Sequence, residues 1–251
     1  MRVMVINLDR RPDRLAFMRA NLGAAGIPFE RIAAIDGATL PPVTSSPVPI
    51  GEIACHKSHR LCWESLVASG DKLGLILEDD LLLSRDFAKF VADPPMPPDG
   101  DMLRLETFPS LVHVSRTSFP GPTGHQIHRL KSRLYGTAAY FLTSRVARQL
   151  LERDRSAELP VDHLLNLPER GMRPLVKLRI YQVVPAIAVQ GMYHYEDESM
   201  PEEMKSDLRG SLRPFWLPPP DTSLIGRVKE TLRPLYDRVR NVRTEVIRFD
   251  G

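Results

Sequence analysis

Leu73-Gly74-Leu75-Ile76-Leu77-Glu78-Asp79-Asp80 is the stretch on which the fold turns. Leu73 to Leu77 is a continuous apolar run of strand length, without the polar alternation of a strand that faces water on one side. A strand of this kind is buried on both faces, as in a parallel sheet covered by helices. The run ends abruptly in three acids. In open α/β sheets ligands bind beyond the carboxyl ends of the strands, so this junction delivers carboxylates to the edge where a ligand belongs. Side chains alternate along extended chain, so Glu78 and Asp80 point to one side and Asp79 to the other. Crowded carboxylates raise one another's pKa unless a cation compensates them. A hard divalent ion, Mn²⁺ or Mg²⁺, suits such oxygen ligands and is held by one or two carboxylates together with substrate phosphates. The plain structural alternative is a solvated acidic turn.

Outward from this strand, the chain alternates strand and helix. Val3 to Leu8 is a short β-type run. After it Pro12 opens a helix with Leu15, Met18 and Leu22 on one stripe. A second strand is expected at Arg31 to Ile35, a Pro/Ser/Thr-rich loop at 40–49, and a long helix from Gly51 to Ala68. Beyond the acids come a Pro-rich connector at 93–101 and a strand at Met102 to Leu105. Further strands are expected at Tyr135 to Leu142 and Ile180 to Val189, with a helix at Val146 to Arg153 and a short one opening at Pro160. Residues 107–132 show little periodicity and read as a long surface loop. This order predicts an α/β fold with a mostly parallel central sheet flanked by helices.

The 251 residues suit one such domain with an appendage, and 43% hydrophobic content is enough for a real core. A net charge of +3 does not mark a nucleic-acid binder. Cys55 and Cys62 sit seven apart in the long helix, roughly 10 Å along its axis, too far to pair. No apolar run approaches the ~20 residues of a membrane span, and the N-terminal run is too short for a signal peptide. A cytoplasmic location is expected.

Four segments in order resemble glycosyltransferase family 25, the lipopolysaccharide and collagen sugar transferases. They are Val5 to Arg14 with Ala34-Ile35-Asp36-Gly37; Gly51 to His59; Leu75 to Asp80; and Gly136 to Tyr140 with Pro160-Val161-Asp162. Ala54 stands where the family often has glycine. The resemblance covers about three-quarters of the chain. It implies a GT-A type fold and an inverting transfer of a sugar, galactose among the candidates, from a UDP-type nucleotide donor to a cell-surface glycan such as lipooligosaccharide. By resemblance Glu78-Asp79-Asp80 fills the place of the family's metal-binding acidic motif. Asp80 is then a direct metal ligand, and Glu78 a ligand of the metal or the donor ribose. His194 is a third candidate ligand. Asn7, Asp9, Arg10, Asp36, Ser58, His59, Glu78 and Asp79 are the expected donor-binding residues. Inversion needs a base for the acceptor hydroxyl; Asp162 is the first candidate and Glu106 the second.

Past Gln190 the composition shifts, and residues 1–205 are expected to form the catalytic domain. Residues 206–221 read as a Pro-rich linker and 222–251 as a basic amphipathic helix. Its seam is Val228, Leu232, Leu235, Val239, Val242 and Val246, with Pro234 as a kink. Such a helix can lie on an anionic membrane surface, pack on its own domain, or pair in a homodimer. A lipid-linked acceptor would make a place on the cytoplasmic face of the inner membrane useful. Two other functions remain open, a sugar nucleotidyltransferase and an inactive binding module. The first would want a Gly-rich phosphate loop, which Asn7 to Pro12 lacks; the intact acidic triplet counts against the second.

Overall fold

A computed structural model describes residues 1–41, 48–132, 135–153, 160–165, 176–195, 199–205 and 241–251. Three parallel strands form one end of a nine-stranded sheet: β1 (Arg2–Asn7), β2 (Glu30–Ala33) and β3 (Leu73–Glu78). β1 lies in the middle, pairing Met4 with Glu30 on one side and Ile76 on the other. Next to β3 comes β9 (Ala139–Thr143), antiparallel, then β5 (Met102–Arg104) and β10 (Ile180–Val184), which are parallel to each other. The far end is antiparallel: β8 (Gln126–Leu130), β7 (Leu111–Pro120) and β12 (Val242–Val246). The α/β expectation therefore holds, and the sheet is mixed. A small second sheet joins β4 (Leu81–Leu83), β11 (Ala188–Gln190) and β6 (Glu106–Thr107) just past the ends of β3 and β5.

The period of two along β3 sorts the core into two layers. Ile76 packs with Met4, Trp63, Tyr140 and Leu150 on one face. That face is covered by the helices α2 (Ile50–Ser69), α4 (Ser144–Arg153) and α5 (Val161–Leu165). Leu75 and Leu77 face the other way, among Val5, Met18, Phe87 and Phe90, beneath α1 (Pro12–Ala24) and α3 (Phe87–Ala92). Gly74 lets α2 come close, since a Cβ there would meet Leu66 Cδ2 at 2.9 Å. Gly70, with φ of 75°, closes α2 in the left-handed conformation that suits glycine.

Two expectations are corrected. Residues 107–132 are not a surface loop but chiefly the hairpin β7–β8. It hides from pattern reading because residues 116–120 of β7 are exposed and the register shifts between Val114 and Ser118. The helix expected over 222–251 does not extend to its end. Residues 242–246 are a strand, with Val242 opposite Ser115 and Val246 opposite Leu111. Asn241, at φ of 52°, interrupts any helix there, and the free edge of β7 offers hydrogen-bond partners that a local spacing argument cannot see. The linker at 206–221 and the helix over 222–240 lie outside the described residues. The strand-like segments expected over Ile180 to Val189 are β10 and β11, separated at Pro185.

Candidate active site

A cleft of about 360 Å³ opens at the carboxyl ends of β1 and β3. Its floor is the acidic triplet, and its walls come from the start of α1, the segment after β2 and the first turns of α2. The alternation predicted for the triplet is present. Asp79 turns inward, where it accepts from Asn7 Nδ2 at 2.7 Å and Arg14 Nη1 at 2.9 Å. Glu78 and Asp80 turn together towards β11, where Gln190 Nε2 reaches Glu78 Oε2 at 3.3 Å and Asp80 Oδ1 at 3.2 Å.

The electrostatics follow from how little compensates these acids. Burial pushes Glu78 up to about 7, helped by the charge of Asp79 and opposed by Arg14. Asp79 and Asp80 rise to about 6, again through burial first. Arg14 is tied to Asp79 and lies 4.0 Å from Asp80, while its other nitrogen donates to the Lys205 carbonyl. Among the described residues one guanidinium thus serves the whole triplet, and Gln190 brings no charge. The donor set is hard oxygen, under-neutralised and open to the cleft, so it fits Mg²⁺ or Mn²⁺ with Glu78 and Asp80 as the protein ligands.

His59 is fully buried on α2 and held neutral, its pKa lowered to about 3 by burial and by His56. Trp63 Nε1, which can only donate, bonds the Tyr140 hydroxyl at 3.1 Å. The hydroxyl proton is then available to His59 Nδ1 at 2.9 Å, which leaves the Nε2–H facing Glu78 Oε1 at 3.4 Å. A relay anchored in the core thereby aims a donor at Glu78. Cys55, His59 and Glu78 offer ligand atoms within 4.8 Å of one another. Burial pushes the thiol well up, so a metal held there would have to displace its proton.

The other expected donor residues divide in two. Arg10 donates to Asp36 at 2.8 Å, Asp36 caps the turn after β2 by accepting from Ala38 N, and both line the cleft. Ser58 lines it too, accepting from Ile35 N and donating to Ala54 O, so that it fastens α2 to the segment after β2. Asn7 does not line it; it is a buried strut among Asp79, Arg31 and the Arg11 carbonyl. Asp9 points into solvent beside Arg31 and is not brought to the cleft. Nor is His194, whose exposed ring packs on Phe249 at 5.8 Å.

The two base candidates also part. Glu106 is sealed: Arg104 Nη2 donates to Oε1 at 3.0 Å and Ala138 N at 2.8 Å, while Arg104 also bonds the carbonyls of Tyr135 and Gly136. Burial still raises Glu106 to about 8, against the pull of Arg104. Its place is to hold the 135–138 turn, away from the cleft. Asp162 sits half-buried in the first turn of α5, against α2, and its charge is felt at Cys55, Glu78 and Tyr193. It takes part in no hydrogen bond or ion pair among the described residues. Sequence reasoning missed Arg14 and Gln190. Arg14 lay inside the motif Val5 to Arg14, whereas Gln190 reaches the triplet only through pairing with Leu81, which no local signal reveals.

Residues 1–165 match the family model for glycosyltransferase family 25, described as LPS biosynthesis protein. Over 91% of this chain and 89% of its own length, the lacto-N-neotetraose biosynthesis glycosyltransferase LgtB of Neisseria gonorrhoeae is 26% identical. The lipooligosaccharide biosynthesis protein lic2B of Haemophilus influenzae is 25% identical, with 94% of each chain covered. LgtE of Neisseria meningitidis serogroup B is 28% identical over 81% of this chain and 79% of its own.

Proposed function

The chain belongs to glycosyltransferase family 25, a family of lipopolysaccharide biosynthesis, and from that premise we propose that its cleft transfers a hexose from a UDP-type donor to a lipooligosaccharide-like acceptor with inversion. The observation that carries the reading is the triplet itself: Glu78 and Asp80 side by side at the cleft, with Asp79 tied back by Arg14 and Asn7. A bound Mn²⁺ or Mg²⁺ on Glu78 and Asp80 would supply positive charge for the departing diphosphate.

The remaining tasks fall to the chain's own groups. Arg10, half-exposed at the mouth, can leave Asp36 and grip a phosphate by paired hydrogen bonds. The neutral His59 holds Glu78 in place and carries no charge that would compete with the cation. Asp162, without a partner among the described residues, takes the proton of the acceptor hydroxyl. As the acceptor oxygen bonds to the anomeric carbon, the bond to the nucleoside diphosphate breaks and the configuration inverts. Galactose is the first sugar to test, since the relatives build lacto-N-neotetraose.

No helix of the described residues is long and apolar enough to cross a membrane. A place on the cytoplasmic membrane face through 222–240, a lipid-linked acceptor and a homodimer belong to the same proposal. Turnover of a panel of UDP-sugars on a lipooligosaccharide fragment, with Mn²⁺ and with chelator, tests the whole. Metal-dependent transfer with inverted product supports it; release of nucleotide triphosphate on adding pyrophosphate, without transfer, would replace it by nucleotidyl chemistry.

A further inference from the structure

A second cluster, sharing no residue with the cleft, draws three distant segments together. Asp86 precedes α3, His125 lies in the turn of the β7–β8 hairpin, and Asp250 follows β12. Their ligand atoms lie within 4.8 Å of one another, and His125 is 3% exposed. The tautomer of His125 follows from its neighbours. Nδ1 lies 3.0 Å from the carbonyl of Pro122, which can only accept, so Nδ1 carries the proton. Thr123 Oγ1, 3.1 Å from Nδ1, can accept there too while its own hydroxyl donates to Asp86.

That leaves Nε2, which faces Asp250 Oδ2 at 3.2 Å yet forms no hydrogen bond with it. An imidazolium–carboxylate pair would place the carboxylate oxygen on the N–H axis. Here the oxygen stands off that axis, where a second ligand of a shared ion stands. Two ligands each about 2.0–2.1 Å from a tetrahedral ion are about 3.3 Å apart, close to the separation of Nε2 and Asp250 Oδ2. Lys89 donates to Asp86 Oδ1 at 2.7 Å and the Thr123 hydroxyl also donates to this carboxylate, whose two oxygens offer about four lone-pair sites and so keep capacity for the ion.

We propose that Asp86, His125 and Asp250 form a divalent transition-metal site that clips the segment after β12 onto the sheet. One imidazole and two carboxylates suit Zn²⁺, with water completing its shell. The clip reinforces a slender attachment: Ala186 N donates to Arg248 O and Asp250 N to Ala186 O, both at 2.8 Å, and Phe249 packs on the exposed ring of His194. Holding ends so far apart in sequence restricts a long loop, which is where a cross-link stabilises most.

The test uses the full chain carrying Asp80→Asn, so that the cleft contributes less metal. After stripping with chelator and dialysis against Zn²⁺, metal analysis should find about one equivalent. Saturating Zn²⁺ should raise the melting temperature by about 5 °C or more. Adding Asp250→Asn or His125→Ala should remove both effects, and either change in the otherwise native chain should leave turnover near normal. Asp250 is half-exposed, so its variant keeps the test valid if His125→Ala fails to fold. No retained zinc and no thermal shift would overturn the site and leave a plain ion pair. Zinc retained equally by both variants would overturn it as well.

Discussion

Buried acids stand at the ends of two strands at the same edge of the sheet, one on either side of β9. Glu78, Asp79 and Asp80 follow β3, and Glu106 follows β5. Glu106 sits in a closed shell: a fully buried arginine, a backbone N–H, and a turn wrapped over both. Among the described residues the triplet's three carboxylates share one arginine, and their other partners, Asn7, His59 and Gln190, are neutral. Burial raises the pKa at both places, so a shifted pKa does not by itself separate chemistry from architecture. What separates them is compensation. Glu106 has its arginine and backbone donor to itself, whereas among the described residues the three acids of the triplet share one arginine.

The sharpest way to break this contrast is Asp80→Asn, which removes one charge and little volume. Turnover should fall by about 10³-fold or more with the fold intact by circular dichroism. Wild-type turnover in Mn²⁺ would show that the triplet needs no cation. Asp162→Asn should come next, lowering turnover 10²–10⁴-fold, the range for a general base, with donor affinity by calorimetry unchanged. The same loss from Glu106→Gln at unchanged stability would reverse the assignment of the two acids.

Much of this was legible in the sequence, for a reason that also explains the gaps. β3 announces itself because a strand buried on both faces must be apolar throughout, and its acids stand out against that run. β7 does not: Val112, Val114 and Ser115 are buried, but the next five residues are exposed, so no period survives. Val242 and Val246 kept the helical spacing of the seam, yet the edge of β7 made them strand. In the site, residues close to a motif stand out, while Gln190 arrives from another part of the chain. Asn7 and Asp9 flank the nucleotide-facing strand end in sequence, but one is a buried strut and the other points to solvent.

The architectural side of the comparison predicts a stability effect where the cleft predicts an activity effect. Arg104→Ala strips the charge and donors from Glu106 and from the 135–138 turn. Removing one partner of a buried pair typically costs about 3–5 kcal/mol. The urea midpoint should drop accordingly, and Arg104→Ala with Glu106→Gln should recover part of the loss, since no lone charge then stays buried. Equal stability of Arg104→Ala and wild type would show that Glu106 is not held in the closed shell described.

The smallest expected effect is a pH dependence, and its sign is distinctive. Glu78, Asp79 and Asp80 titrate near 7, 6 and 6 in the folded protein without metal, against about 4 in an unfolded chain. The folded state therefore binds more protons between pH 4 and 7, so stability falls as pH rises through that window. Most paired carboxylates give the opposite trend. Each pKa unit corresponds to about 1.4 kcal/mol, but the three acids share one field, so the summed change is smaller than three separate terms. Metal inverts the logic by favouring the charged forms, because its ligands must lose their protons. Melting curves of chelated protein should drop by a few degrees between pH 5 and 8, and Mn²⁺ should cancel the drop, most strongly at the upper end. Asp80→Asn should flatten the metal-free slope and blunt the rescue together. A metal-free protein that gains stability across this range would mean that the triplet's carboxylates are held in their charged forms from within, and the reading of the triplet as under-compensated would be lost.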